Sequence, residues 1–164
     1  PRGVVSNLPY YITGPLLTRI AEARRFYVVA VLMMQKEVAR RVVASHQDSE
    51  RGSLSVYLQA QFEISVLAHV PAGAFLPPPK VDSTVLQFVP KAMEVEADDE
   101  KPFFQLIRLS FAQPRKTLAN NLVAGLRWSR DDVTSLLNRA GLEPMVRAEA
   151  LPLADWYRLF RAWR

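Results

Sequence analysis

Apolar and polar positions change period along the chain, and the changes mark out its elements. Val4 and Val5 open as a strand that runs into a turn over residues 7–11. Thr13-Gly14-Pro15 reads as an N-cap with an early helical proline ahead of Leu16, Leu17 and Ile20. Tyr27 to Met33 is an unbroken apolar run, the pattern of a strand buried on both faces. From Gln35 to Ala44, Val38, Val42 and Val43 fall on one side of a helix, with Lys36, Glu37, Arg40 and Arg41 largely on the other. After a polar loop from His46 to Gly52, Leu54, Leu58 and Phe62 recur every fourth residue and predict another helix. Alternation at Phe62, Ile64, Val66, Ala68 and Val70 predicts a strand. A proline-dense loop, Pro71 to Lys80, leads to a strand over 81–89 with Val81, Val85 and Val89 on one face.

Strands that alternate with helices predict an α/β layered sheet for this first part. The character then changes. Five carboxylates between Glu94 and Glu100 read as an acidic hinge, and no strand-like stretch follows. Pro102 suits a first helical turn before Phe103, Leu106 and Ile107. Ser129 with Asp132 resembles a capping box ahead of Val133, Leu136, Leu137 and Ala140, and Gly141 is the expected stop. Trp156, Leu159, Phe160 and Trp163 repeat the helical spacing at the end. The expected fold class is α/β followed by all-α, with domains at 1–94 and 95–164.

Composition narrows the classes. The 164 residues are 49% hydrophobic and 23% charged, which describes a folded globular chain and not a disordered one. A net charge of +5 is compatible with a polyanionic partner without naming one. No cysteine is present, which excludes disulfides, thiolate zinc sites and a cysteine nucleophile. His46 and His69 stand apart, so no metal site is expected. No apolar run approaches the ~20 residues of a membrane helix, and the start lacks a signal-peptide layout. A soluble, cytoplasmic protein is expected. Because the first residue is Pro1 and a strand follows almost at once, the chain reads as a fragment, or as a domain that simply starts with a strand.

The candidate chemistry lies in Asn7-Leu8-Pro9-Tyr10, where a parallel strand of an open sheet would end and ligands bind. Proline fixes its own φ and holds Leu8 extended. The Asn7 side chain and the Leu8 carbonyl then stand in a fixed relation, with an aromatic plate beside them. Two acceptors and a ring suit a planar base that carries an exocyclic amino group. The competing reading is a strand-ending turn that happens to contain asparagine. Phe75-Leu76-Pro77-Pro78-Pro79-Lys80-Val81-Asp82-Ser83 puts a second aromatic on a stiff support. This is either the other plate of a base sandwich or a rigid connector. Lys80 either neutralises a phosphate or is merely solvated.

Together these two segments resemble the ribosomal RNA adenine dimethyltransferases, of the bacterial small-subunit type. Gln35-Lys36-Glu37-Val38-Ala39-Arg40-Arg41, Gly52-Ser53-Leu54-Ser55-Val56, Phe103-Phe104-Gln105-Leu106-Ile107-Arg108, Arg115-Lys116-Thr117-Leu118-Ala119-Asn120-Asn121-Leu122 and Arg147-Ala148-Glu149 are similar to that family in the same order. The resemblance spans nearly the whole chain.

It implies transfer of methyl groups from S-adenosylmethionine to N6 of two adjacent adenosines in 16S rRNA of the small ribosomal subunit, with a role in subunit biogenesis. It also implies the C-terminal half of a Rossmann-like methyltransferase sheet plus a small helical domain that engages RNA. By position, Asn7 meets the target amino group and borders the methyl donor. Leu8 offers its carbonyl, Pro9 shapes the turn, and Tyr10 and Phe75 stack on the base. Lys80, Arg108, Arg115, Lys116, Asn120 and Arg147 are the RNA-binding candidates, against ordinary solvated charges. Two positions depart from the pattern: Pro114, expected to divide its helix, and Ala119 both stand where basic residues are common. The family's glycine-rich turn, ribose-binding acidic residue and adenine-binding aspartate lie upstream of Asn7, so this chain alone is expected to bind cofactor weakly and to be inactive. Its first strand is expected to be an exposed apolar edge. The rival readings are a large-subunit rRNA adenine methyltransferase of the macrolide-resistance type, an amino-methyltransferase acting on DNA or protein, and a non-catalytic ribosome-assembly module that binds RNA through a basic helical domain.

Overall fold

Four strands pair into one mixed sheet in the order β1-β2-β4-β3, in a computed structural model that describes residues 2–164. The strands are β1 (Gly3–Asn7), β2 (Val29–Gln35), β3 (Phe62–Val70) and β4 (Ser83–Pro90). β1 and β2 run parallel, joined by α1 (Thr13–Glu22). β4 is antiparallel to both β2 and β3. Its first residue, Ser83, lies opposite Gln35 on one side and Val70 on the other. Between Val66 and Ala68 the β3–β4 register shifts by one residue, a bulge at Leu67.

The chain divides into two compact units, residues 1–43 with 58–92, and residues 44–57 with 93–164. The expected boundary near residue 95 differs in one respect: residues 44–57 group with the helices, not with the sheet. In that segment the guanidinium of Arg51, 5% exposed, donates to the carbonyls of Glu149 and Leu151, and Tyr57 packs its ring 4.4 Å from that of Phe104.

In the sheet unit, α2 (Lys36–Val43) starts directly after β2 and packs against β2, β3 and β4 through Ala39 and Val42. The apolar run of β2 proves asymmetric. Ala30, Leu32 and Met34 are fully buried, whereas Val31 and Met33 are half-buried. The half-buried face continues onto β1, an edge strand whose Val5, paired with Val31, is 83% exposed. The strand also starts two residues later than expected, because Tyr27 turns inward and donates its hydroxyl to the Ile20 carbonyl at 2.7 Å. Val81 likewise precedes β4, and the core face of that strand is Thr84, Leu86 and Phe88. Helix α3 (Ser53–Gln61) runs straight into β3.

The second unit has α4 (Glu100–Ser110), α5 (Leu118–Leu126), α6 (Arg130–Arg139) and α7 (Leu153–Trp163). Phe103 stacks on Tyr157 with centroids 5.0 Å apart, and Phe111 stacks on Trp156 at 5.7 Å. α6 opens on the expected box: Ser129 accepts from the Asp132 N–H at 3.1 Å and donates its hydroxyl to the Asp132 carboxylate at 2.6 Å. Gly141, at φ +68°, ends it with a Schellman pair of bonds, Gly141 N–H to Asn138 and Leu142 N–H to Leu137. Among the described residues no helix is long and apolar enough to cross a membrane.

Candidate active site

β1 ends at Asn7, and the chain leaves the sheet on one bond, from the Leu8 N–H to the Met33 carbonyl at 2.9 Å. Burying the Leu8 side chain (3% exposed) pins the turn from below. Leu8 thus contributes outward only through its main chain. Pro9, at φ −59°, starts a 3-10 turn over Tyr10–Ile12, closed by the Ile12 N–H on the Pro9 carbonyl. Thr13 does not cap α1 as expected. It lies inside the helix, and its hydroxyl donates back to the carbonyls of Pro9 and Tyr10, at 3.0 and 3.3 Å. The threonine therefore stabilises the turn instead of the helix start.

Asn7 is exposed at the strand end, and Tyr10 is half-buried. Among the described residues nothing hydrogen-bonds to the Asn7 side chain or the Leu8 carbonyl, so both acceptors remain available. The Tyr10 hydroxyl is committed: it lies 2.7 Å from the Ser83 hydroxyl at the start of β4.

The residue before Ser83 anchors the second loop. One Asp82 carboxylate oxygen accepts from the Ala72 N–H at 3.0 Å, and the other lies 3.9 Å from Lys36 Nζ. The Asp82 carbonyl accepts from the Lys36 N–H. Ala72–Ala74 forms a 3-10 turn, and the Phe75 N–H closes on the Ala72 carbonyl at 3.2 Å. Phe75 is half-buried, Leu76 is 98% exposed, and Lys80 is exposed. A continuous path of bonds thus joins Tyr10, through Ser83 and Asp82, to the turn that presents Phe75. Ser83 and Asp82 carry this link, a role that their place in the sequence does not reveal. The signal available was a polar Asp-Ser pair just ahead of an apolar strand.

The RNA candidates of the helical unit are placed unevenly. Arg108 is exposed on α4. Arg115 and Lys116 are exposed on a turn between α4 and α5, after Pro114, so the helix does divide there. That turn is held by Asn121, which is buried and bonds both the N–H and the carbonyl of Gln113. Asn120 accepts from the Arg130 guanidinium at 2.6 Å, which uses its oxygen internally. Ala119 is buried, a site where a long basic side chain has no room to display its charge. Arg147 is exposed and lies 4.0 Å from the Glu149 carboxylate. A groove of about 860 Å³ between α6 and α7 is lined by Arg139, Arg158 and Arg161. Two of them are paired, Arg158 with Asp155 and Arg161 with Glu94.

Within the two compact units the net positive charge falls on the sheet. The helical unit holds twelve basic and twelve acidic residues, whereas the sheet unit holds nine and four, which is the whole net charge of +5. Counterion release and steering by a polyanion therefore favour the sheet unit. Among the described residues no group of three His, Asp or Glu side chains is placed to hold a metal ion.

Known proteins resemble the chain along its length. Residues 3–163 match the model of the family described as ribosomal RNA adenine dimethylase. A protein from Dehalococcoides mccartyi named ribosomal RNA small subunit methyltransferase A is 42% identical over 160 residues, covering 97% of this chain and 54% of that protein. One of the same name from Lactococcus lactis is 43% identical over 161 residues, covering 97% and 55%. The chain thus spans about half the length of the curated relatives it matches. A crystal structure of a dimethyladenosine transferase from Plasmodium falciparum superposes with a TM-score of 0.78 at 23% identity, over 97% of this chain and 66% of that one. The 23S rRNA methyltransferase ErmE gives 0.74 at 24%, over 99% and 65%. These two likenesses establish the fold, that of Rossmann-like methyltransferases. The match of nearly every residue to one family model places this chain in the ribosomal RNA adenine dimethylase family.

Proposed function

We propose that the chain forms the target-base side of an S-adenosylmethionine-dependent rRNA adenine dimethyltransferase, acting on N6 of two adjacent adenosines in 16S rRNA during small-subunit biogenesis. The observation that carries this reading is the pair of uncommitted acceptors, the Asn7 side chain and the Leu8 carbonyl, beside a tyrosine ring fixed through Ser83. Relatives named as small-subunit enzymes support it over the large-subunit alternative.

The chemistry follows from the amine. Its lone pair is delocalised into the purine, so it is a poor nucleophile. Accepting both N–H bonds at Asn7 and Leu8 favours a pyramidal nitrogen with its lone pair turned out of the ring plane. Tyr10 and Phe75 hold the base by stacking, worth ~1–3 kcal/mol per base in comparable sites. The target adenosine reaches the slot by leaving its own stack. No strong base is needed, since the proton becomes acidic once nitrogen has gained a fourth substituent. Alignment and fixed dipoles supply the rate.

S-adenosylmethionine, when bound, supplies an electrophilic methyl group. The residues present fit one edge of it: Asn7, at the open end of β1. Gly3 and Gly14 are not a cofactor cradle. A Cβ at Gly14 meets nothing within 4 Å, and at Gly3 only ordinary contacts with Val29 from 3.6 Å. The 164-residue chain is therefore proposed to bind S-adenosylmethionine weakly and to be inactive by itself. Calorimetry showing micromolar binding contradicts that part.

The site assignment is tested in a protein that carries these residues within the full length of the curated relatives. Asn7→Ala is expected to reduce methylation of small-subunit RNA by at least a hundredfold with RNA affinity nearly unchanged. Full methylation by that variant overturns the assignment.

A further inference from the structure

We propose that Tyr11 is a second stacking residue, one that grips the nucleotide flanking the target base, with Leu76 as its apolar counterpart on the proline loop. The proposal rests on the base-pocket reading above. Tyr11 directly follows Tyr10 in the same 3-10 turn, but the two rings are placed differently. Tyr10 is half-buried with its hydroxyl on Ser83. Tyr11 is 88% exposed, with no hydrogen bond or ring contact among the described residues. The opposite loop repeats the order, since half-buried Phe75 is followed by Leu76 at 98% exposure. Each loop therefore presents an inner ring and, one residue further on, an outer apolar side chain held out in water.

Single exposed apolar residues are ordinary on a protein surface. Here each directly follows one of the two rings assigned to the proposed base pocket, on turns fixed by the bonds of Thr13 and Asp82. They also belong to the unit that carries all of the net positive charge. An occupant must offer a flat apolar face together with negative charge. A nucleotide in single-stranded RNA offers both, and aromatic stacking accepts any base. When one base swings out into a pocket, its neighbour is left with an uncovered face. The Tyr11 ring is placed to cover that face, with the Lys36 and Lys80 ammonium groups, both exposed, within the same unit to meet phosphate.

The test uses the 164-residue chain and short single-stranded oligoribonucleotides with a central adenosine. 2-Aminopurine is placed on its 5′ side in one and on its 3′ side in another. Tyr11→Ala is expected to weaken binding about tenfold and to change the 2-aminopurine emission of the complex at one of the two positions. Tyr11→Phe and Tyr11→Trp are expected to retain both, because the face of the ring and not its hydroxyl is used. Leu76→Ser is expected to weaken binding about threefold. Binding by Tyr11→Ala within twofold of the unmodified chain, with unchanged emission at both positions, overturns the proposal. So does the absence of binding to either oligonucleotide. Replacing the central adenosine by purine riboside, which lacks the amino group, tests the pocket separately. If that change costs nothing, the base-pocket reading falls and the assignment of Tyr11 falls with it. If it weakens binding while Tyr11→Ala does not, only the Tyr11 proposal is lost.

Discussion

The hydroxyls of Tyr10 and Ser83 lie 2.7 Å apart and join the turn after β1 to the first residue of β4. Ser83 is fully buried, so neither hydroxyl is easily replaced by water on that side. Tyr10→Phe and Ser83→Ala are each expected to destabilise the sheet unit by about 1–2 kcal/mol. Because they remove the same bond, the double variant should fall well short of the sum. Urea midpoints of the three variants measure this, and strict additivity contradicts the pairing.

Arg51 ties the 44–57 segment to the helical unit. Its guanidinium is nearly inaccessible, donates to two backbone carbonyls, and is held by burial below its ordinary pKa. Arg51→Ala strands both carbonyls and is expected to cost about 3 kcal/mol. Arg51→Lys should recover little, since one ammonium cannot reproduce the fork. Denaturant unfolding followed by tryptophan emission reads the effect, because all three tryptophans lie in that unit.

Burial pushes the Tyr27 hydroxyl up to about 12, with Arg24 pulling weakly the other way. The proton is also the one donated to the Ile20 carbonyl. A folded-state value above the ordinary one near 10 means the neutral phenol is favoured by folding. That stability is complete below pH ~10 and is lost as pH rises through 12. Roughly 3 kcal/mol should disappear across this window. Tyr27→Phe should lack that component of the slope in a pH series of melting curves.

The net charge of the sheet unit predicts where salt acts. Replacing Arg40 and Arg41 on the exposed face of α2 by Gln should reduce the slope of log Kd for single-stranded RNA against log salt by about 1. The same change at Arg115 and Lys116 should matter less, because the helical unit is neutral overall. Equal reductions from both pairs contradict this reading.

Much of this architecture could be read in advance where local signals are strong. The Ser129–Asp132 box, the Gly141 stop and the helix-breaking Pro114 act through residues close in sequence, so their outcome is visible in the string. The Asn7–Tyr10 turn was legible for the same reason. What escaped depends on distant partners. The asymmetry of β2 depends on which face of the sheet α2 covers, and the grouping of 44–57 depends on bonds from Arg51 that span about a hundred positions. The inward turn of Thr13 could not be told from a cap, because a threonine hydroxyl serves either role at a helix start. The neutrality of the helical unit needed the unit boundaries before its charges could be added.

A crystal structure of this chain soaked with adenosine 5′-monophosphate shows whether the turn after β1 and the proline loop form a base pocket. The adenine is expected between the Tyr10 and Phe75 rings, with its amino nitrogen within hydrogen-bonding distance of the Asn7 side-chain oxygen and the Leu8 carbonyl. Adenine bound elsewhere, or rings set too far apart to hold a purine between them, contradicts it.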